Sequence, residues 1–333
     1  MADVATLQIS SPSRFREFAY TVNATNEGQQ KFIGPRTILN RLAVGTAANG
    51  EIVQLTTPFT NATYEQSFSA PLIRCQDANS TIAKQIDAVA QKRKEKLDPS
   101  ILEVSNDYFA FVPAINSSDS QNASIQEADL SSQKGATHAY NQLWLRFQTS
   151  SETEDRSNVT SQRSMRYLLC EMQNASYHVN FTWVNGKQFF EVLHLDTIGT
   201  VPYPSSVSYS DSDAVNLAYS AFMWSLSSQI VGYLSFHQDI DSGNDMATDV
   251  NAGRIYSEIG TNLALTSLLG SSDLDSYFVK NHALGAKDGK PAEAHSPQRL
   301  HDTVFARNRT LDVMIQELSF NITMSLLSNP NFA

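Results

Sequence analysis

The chain has 333 residues, 41% hydrophobic and 17% charged, a balance that belongs to a globular protein and excludes a disordered one. Its net charge of −10, from 34 acidic against 24 basic side chains, excludes the electropositive surface that nucleic-acid binding requires. The length suffices for one large domain or two ordinary ones, each with a real core.

The N-terminal residues Met1–Ser13 contain no basic stretch followed by an apolar one, so no signal peptide is visible there. Phe15–Val22 alternates as a strand does, and Ile52–Phe59 is a short apolar run ending at a turn that contains proline. From Ser80 the pattern becomes helical: Asn79 or Ser80 caps a helix running to about Lys96, with Ile82, Ile86 and Val89 on one side. Lys92-Arg93-Lys94-Glu95-Lys96 places cations at the negative pole of that helix. This basic run reads as a solvated helix end, with an anionic-surface patch and a dibasic processing site as the functional alternatives. Residues 116–132 and 149–164 are polar loops, and Ala139–Phe147 between them reads as a strand.

Ser176–Leu195 forms a hairpin about Asn185-Gly186, because a two-residue type I′ turn needs positive φ at both central positions. Such a turn pairs Val184 with Lys187, Phe181 with Phe190 and Val179 with Val192, and the last two pairs are expected on the core side with Tyr177 and Trp183. Asn174, His178, Asn180 and Thr182 fall on the opposite face, expected to meet solvent.

After residue 211 the chain reads as helical. Val215, Ala218, Phe222, Leu226, Ile230 and Tyr233 or Leu234 follow one helical stripe, with Asp211 and Ser212 as caps. Ala214–Phe236 carries no charge, yet its mean hydropathy of about 1 is low for a spanning helix, so it reads as a buried core helix. A second helix is predicted over Tyr256–Leu269. A last one over about Pro297–Leu327 sets Leu300, Val304, Leu311, Ile315, Leu318 and Ile322 in a stripe, with a break near Asn308 or an unused sequon there. The expected fold is α+β: residues 1–210 strand-rich with antiparallel hairpins and one helix near 80–97, residues 211–333 helical and packed on them.

Ten Asn-X-Ser/Thr sequons stand at Asn23, Asn61, Asn79, Asn116, Asn122, Asn158, Asn174, Asn180, Asn308 and Asn321. Chance would give about four, so the excess points to the glycosylation machinery of the secretory pathway. In that compartment Cys75 and Cys170 read as one disulfide, with two separate buried thiols as the alternative. Sequons without an export signal suggest a fragment of a longer protein.

Motifs for known chemistries are missing. There is no HExxH helix and no GxSxG elbow, and Gly285–Lys290 misses the phosphate-loop spacing. Asp239, Asp241 and Gly243 resemble a calcium loop, but the glycine is out of register and no glutamate closes the loop. Glu191 with Asp196, or Asp239 with Asp241, are the carboxylate pairs a glycosidase would need, though surface charge explains them as well. No metal or cofactor is expected.

Two stretches, Cys170–Tyr177 (CEMQNASY) leading into the aromatic hairpin and Ile315–Ser328 (IQELSFNITMSLLS), resemble the extracellular or luminal region of uncharacterised membrane proteins of filamentous fungi. Some members carry the label "formylmethionine deformylase-like". A deformylase needs HExxH and a cysteine in an EGCLS-like motif, whereas Cys170 sits in LLCEM. The resemblance implies a glycosylated, non-catalytic ectodomain whose membrane contact comes through segments outside this chain. A cell-wall or surface molecule is the candidate partner. The alternative is a secreted hydrolase acting on cell-wall polysaccharide.

Overall fold

A computed structural model describes residues 18–23, 30–54, 60–98, 101–115, 124–130, 139–151, 162–204, 211–239, 255–274, 277 and 304–327. The fold is α+β. Its centre is a seven-stranded antiparallel sheet made by β3 (Ala62–Asp77), β4 (Ile101–Phe111), β7 (Gln142–Ser151), β8 (Gln162–Val184), β9 (Lys187–Thr200), β10 (Gly232–Asp239) and β11 (Ile255–Ile259). The order is β11-β10-β4-β7-β8-β3. Two small ribbons, β1 (Ala19–Asn23) with β2 (Gln30–Pro35) and β5 (Pro113–Ile115) with β6 (Ile125–Glu127), lie apart from it.

The 23-residue β8 organises the sheet. It pairs with β3 from Leu168 to Trp183 on one edge. On its other edge the first half pairs with β7 and the second half with β9. The hairpin register is as the Asn-Gly turn predicts: Asn185 and Gly186 have φ of 52° and 77°, and Phe181 faces Phe190. Tyr177, Val179, Phe181 and Trp183 are buried, but Phe190 and Val192 are 38% and 37% exposed. The core-side expectation therefore fails for the β9 partners, because no described strand lies beyond β9 and no helix covers its length.

Four helices among the described residues cover the sheet. α1 (Thr37–Asn49), α3 (Asp211–Ser227) and α4 (Leu311–Leu327) share one large core with Ile73, Tyr108, Leu145, Phe147, Leu168 and Met172. That core joins residues from both sides of position 211. α2 (Ser80–Lys94) covers the opposite face with Ile86, Val89 and Ala90 against Phe109, Phe111, Trp144 and Leu169. Asn79 caps α2, its Oδ1 accepting from the Thr81 and Ile82 amides at 3.0 and 2.9 Å. The end of α4, with Met324 and Leu327, packs on the aromatic part of β3 and β8.

α4 also shields the free edge of β3. Ser319 Oγ accepts the Ile73 N–H at 3.0 Å, and Thr323 Oγ1 donates to the Pro71 carbonyl at 2.7 Å. An uncovered edge is a template for aggregation, and Pro71, which has no N–H to offer, is tolerated there.

Several sequence expectations are corrected. α1 replaces the strand-and-loop reading of the early chain; Leu39, Ala43, Thr46 and Ala47 form its buried stripe. The helix after 211 stops at Ser227, and its continuation is β10. Gly232 has φ +123°, and a Cβ on it would stand 2.0 Å from the Gly260 carbonyl oxygen, so only glycine fits this strand entry. Tyr256–Leu269 is not a helix but β11 followed by short 3₁₀ turns. Ile52–Gln54 forms no strand. The last helix breaks where Arg307 and Asn308 adopt φ of 49° and 58°, which leaves Val304 77% exposed instead of in the stripe.

Candidate functional site

The alternation Tyr233-Leu234-Ser235-Phe236-His237 divides β10 between two faces. Leu234 and Phe236 enter the main core, while Tyr233, Ser235 and His237 face the side on which α2 lies. Their cross-strand partners on β4 are Phe109, Asn106 and Glu103, and Glu258 of β11 stands opposite Ser235. Two register shifts, at Leu234/Ser235 and Phe236/His237, interrupt this row on either side of Ser235. Such bulges turn side chains out of regular sheet geometry and recur beside functional sites.

The row is unusually polar for a covered sheet face. His237 is fully buried, and its Nε2 stands 2.8 Å from Glu258 Oε2. Tyr233 donates its hydroxyl to Glu258 Oε1. Arg93 descends from the end of α2, its guanidinium carbon 3.3 Å from the Tyr233 ring centroid. Its Nη1 donates to Glu103 Oε1 at 3.3 Å, and both side chains are little exposed, 14% and 5%. Burial, followed by the Glu258 contact, pushes the Tyr233 hydroxyl above its usual pKa. Arg93 is thus a partly buried, stacked ion-pair partner, which removes it from the solvated basic run read in the sequence.

Beside this row opens a cavity of about 910 Å³. Lys92, Arg93, Glu95 and Lys96 form one wall, β6 with Glu127 and the following Asp129 another, and Phe109, Phe111 and Tyr233 lie at its base. Glu127 is accessible along its own strand, yet crowding by the cavity walls raises its carboxyl above 4.5, against the lowering pull of Arg93 and Lys96. A second cavity, of about 510 Å³, lies where β7 begins and β9 ends, with Asn141, Gln142, Glu171 and Tyr203 among its walls.

Cys75 and Cys170 sit directly opposite each other on β3 and β8 with Cα atoms 3.9 Å apart, and they form a disulfide. A structural disulfide belongs to an oxidising compartment. No helix among the described residues is long and apolar enough to cross a membrane.

The sequons divide by geometry. Asn61, Asn79 and Asn308 are exposed. Asn61 Oδ1 accepts from the Asn185 N–H at 3.0 Å and steadies the hairpin turn. Asn308 lies in the left-handed break that the sequence suggested, a conformation asparagine tolerates. Asn180 is half-buried on the outer face, between Glu65 and Glu191. Asn174 lies on the face that alternation assigns, but that face is not open there: α3 covers it, and the Tyr219 hydroxyl donates to Asn174 Oδ1 at 2.8 Å. Asn321 is half-buried, and its Nδ2 donates to the Gly50 carbonyl at 2.9 Å. Asn23 ends β1. Asn116, Asn122 and Asn158 lie outside the described residues.

The other candidates separate. Glu191 and Asp196 are exposed on β9, with Asp196 2.5 Å from His194 Nε2, and neither lines either of the two cavities. Asp239 ends β10, while Asp241, Gly243 and Gly285–Lys290 lie outside the described residues. Among the described residues no group of three His, Cys, Asp or Glu side chains could hold a metal.

No protein-family profile, no curated protein and no solved structure matches the chain. The sequence does not announce the Arg93–Glu103–Tyr233–His237–Glu258 network, because Tyr233 also fits a helical stripe. The period-two alternation after Gly232 is the signal that places Tyr233, Ser235 and His237 on one face of a strand.

Proposed function

We propose that the chain is a glycosylated, non-catalytic ectodomain, held on the extracellular or luminal side of a membrane, with a role in surface or wall interaction or sensing. The Cys75–Cys170 bridge carries this reading, since it ties the two longest paired strands and persists only where thiols are oxidised. The exposed Asn61, Asn79 and Asn308 sequons agree with it, because each presents an amide to solvent. The likeness to fungal membrane-protein ectodomains rests on the two stretches in β8 and α4 and supplies the anchoring part of the proposal. Expression through a eukaryotic secretory route followed by a glycosidase tests it. A mobility shift supports the reading, and a secreted protein showing none overturns it.

A second reading, a secreted hydrolase acting on polysaccharide, has one observation in its favour. Glu127, whose carboxyl is raised, shares the large cavity with Glu95 on another wall, as an acid and a base would. Release of reducing ends from wall polysaccharide, abolished by Glu127→Gln, supports it. Absence of turnover by the wild-type protein sinks it.

A further inference from the structure

Beneath Arg93 lies a group of polar atoms that no described residue satisfies. Ser235 is fully buried and its Oγ has no hydrogen-bond partner among the described residues. Asn106 stands directly opposite on β4, and both its Oδ1 and its Nδ2 are buried without a partner. Leaving such atoms unsatisfied destabilises the fold, and replacing both residues with apolar ones would remove that penalty. The two bulges flanking the pair mark it as a shaped place in the sheet rather than an accident of regular pairing.

Arg93 closes over this group. Its guanidinium reaches from Tyr233 to Glu103, and along the paired strands these two residues stand on either side of Ser235 and Asn106. The same guanidinium and the same Tyr233 line the cavity of about 910 Å³. Neither Ser235 nor Asn106 lines that cavity, so a ligand held there reaches them only when Arg93 moves.

The available groups select a ligand chemistry. Asn106 offers donors and an acceptor, and the Ser235 hydroxyl offers both. Glu103 and Glu258 disfavour an anion, while Arg93 disfavours a cation. What fits is a neutral molecule rich in hydroxyl groups, each a donor and an acceptor at once. We propose that this cavity binds a neutral carbohydrate, one edge of which places its hydroxyls on Asn106 and Ser235 after Arg93 swings aside. This deepens the proposed surface or wall role and rests on it, and it assigns the recognition to a single place.

The test is titration of the full, enzymatically deglycosylated chain with short oligomers of glucose, N-acetylglucosamine and mannose, followed by calorimetry and saturation-transfer NMR. Saturable binding by at least one oligomer is expected. Ser235→Ala and Asn106→Leu should each weaken it about tenfold, the equivalent of one lost hydrogen bond, while the unfolding midpoint stays equal or rises. A merely structural pair would not separate binding from stability in this way. Failure of all three oligomers to bind, or binding indifferent to both variants, overturns the proposal. Because the glycans are removed beforehand, that outcome is distinct from a failure of the secretory reading, which the mobility shift reports separately.

Discussion

Arg93 lies flat on Tyr233, 3.3 Å above the ring centroid, while its Nη1 holds Glu103 at 3.3 Å. One guanidinium thus joins the end of α2 to β10 and β4. Glu103 has a side chain only 5% exposed, so water cannot replace this partner. Arg93→Met should destabilise by about 3–5 kcal/mol, because it leaves a buried carboxylate unpaired. Adding Glu103→Gln should restore most of that loss. Urea unfolding of the single and double variants measures it, and additive losses contradict the pairing.

How far the sequence carried this fold depends on where local chemistry decides structure. The Asn185-Gly186 turn, the Asn79 cap and the Asn308 break are set by backbone preferences of the residues themselves, and each was legible. β10 was not. Tyr233 or Leu234 continues the helical stripe of α3 as readily as it fits the alternation of a strand, and the close approach of Gly232 to Gly260 favours the strand. The exposure of Phe190 and Val192 was likewise hidden, since it depends on which element lies beyond β9. The candidate site fared worse, because it is assembled from Arg93, Glu103, Asn106, Tyr233, Ser235, His237 and Glu258, drawn from four elements. No local spacing announces such a set.

The disulfide closes a separation of 95 residues. On the chain-entropy account its removal by Cys75→Ala with Cys170→Ala should cost about 4–5 kcal/mol. The denaturant midpoint of the double variant against wild type reads this directly. Equal midpoints contradict a stabilising bridge.

Asn79 serves two purposes that mutation can separate. Its Oδ1 caps α2, whereas a glycan would use its Nδ2. Thr81→Ala destroys the sequon and keeps the cap, so it should remove one glycan and change stability little. Asn79→Ala should remove the glycan and a further 0.5–2 kcal/mol or so of stability. Mass spectrometry with thermal unfolding distinguishes the two, and equal losses of stability contradict the capping role.

Glu127 predicts a pH dependence. Its folded-state carboxyl is raised above 4.5 by burial, so the folded chain binds more protons than the unfolded one just above that pH. Its contribution to stability is greatest below the unfolded value and is lost as pH rises through the raised folded value. Glu127→Gln should therefore flatten the decline in urea midpoint between pH 4 and pH 7. An unchanged slope contradicts the upward shift of this carboxyl.

α4 protects β3 through hydroxyl groups. Ser319→Ala should leave the fully buried Ile73 with an unsatisfied N–H, at a cost of about 1–3 kcal/mol. Ser319→Thr should preserve the contact, and unfolding of both variants checks the difference. Equal stability of Ser319→Ala and wild type contradicts the edge-capping role.

The most direct measurement of the central claim is peptide mapping of the chain after passage through a eukaryotic secretory pathway. The account predicts a Cys75–Cys170 linked peptide, glycans at Asn61, Asn79 and Asn308, and bare asparagine at Asn174 and Asn321, whose amides hold tertiary contacts. Free thiols at both cysteines together with unmodified Asn61, Asn79 and Asn308 would contradict it.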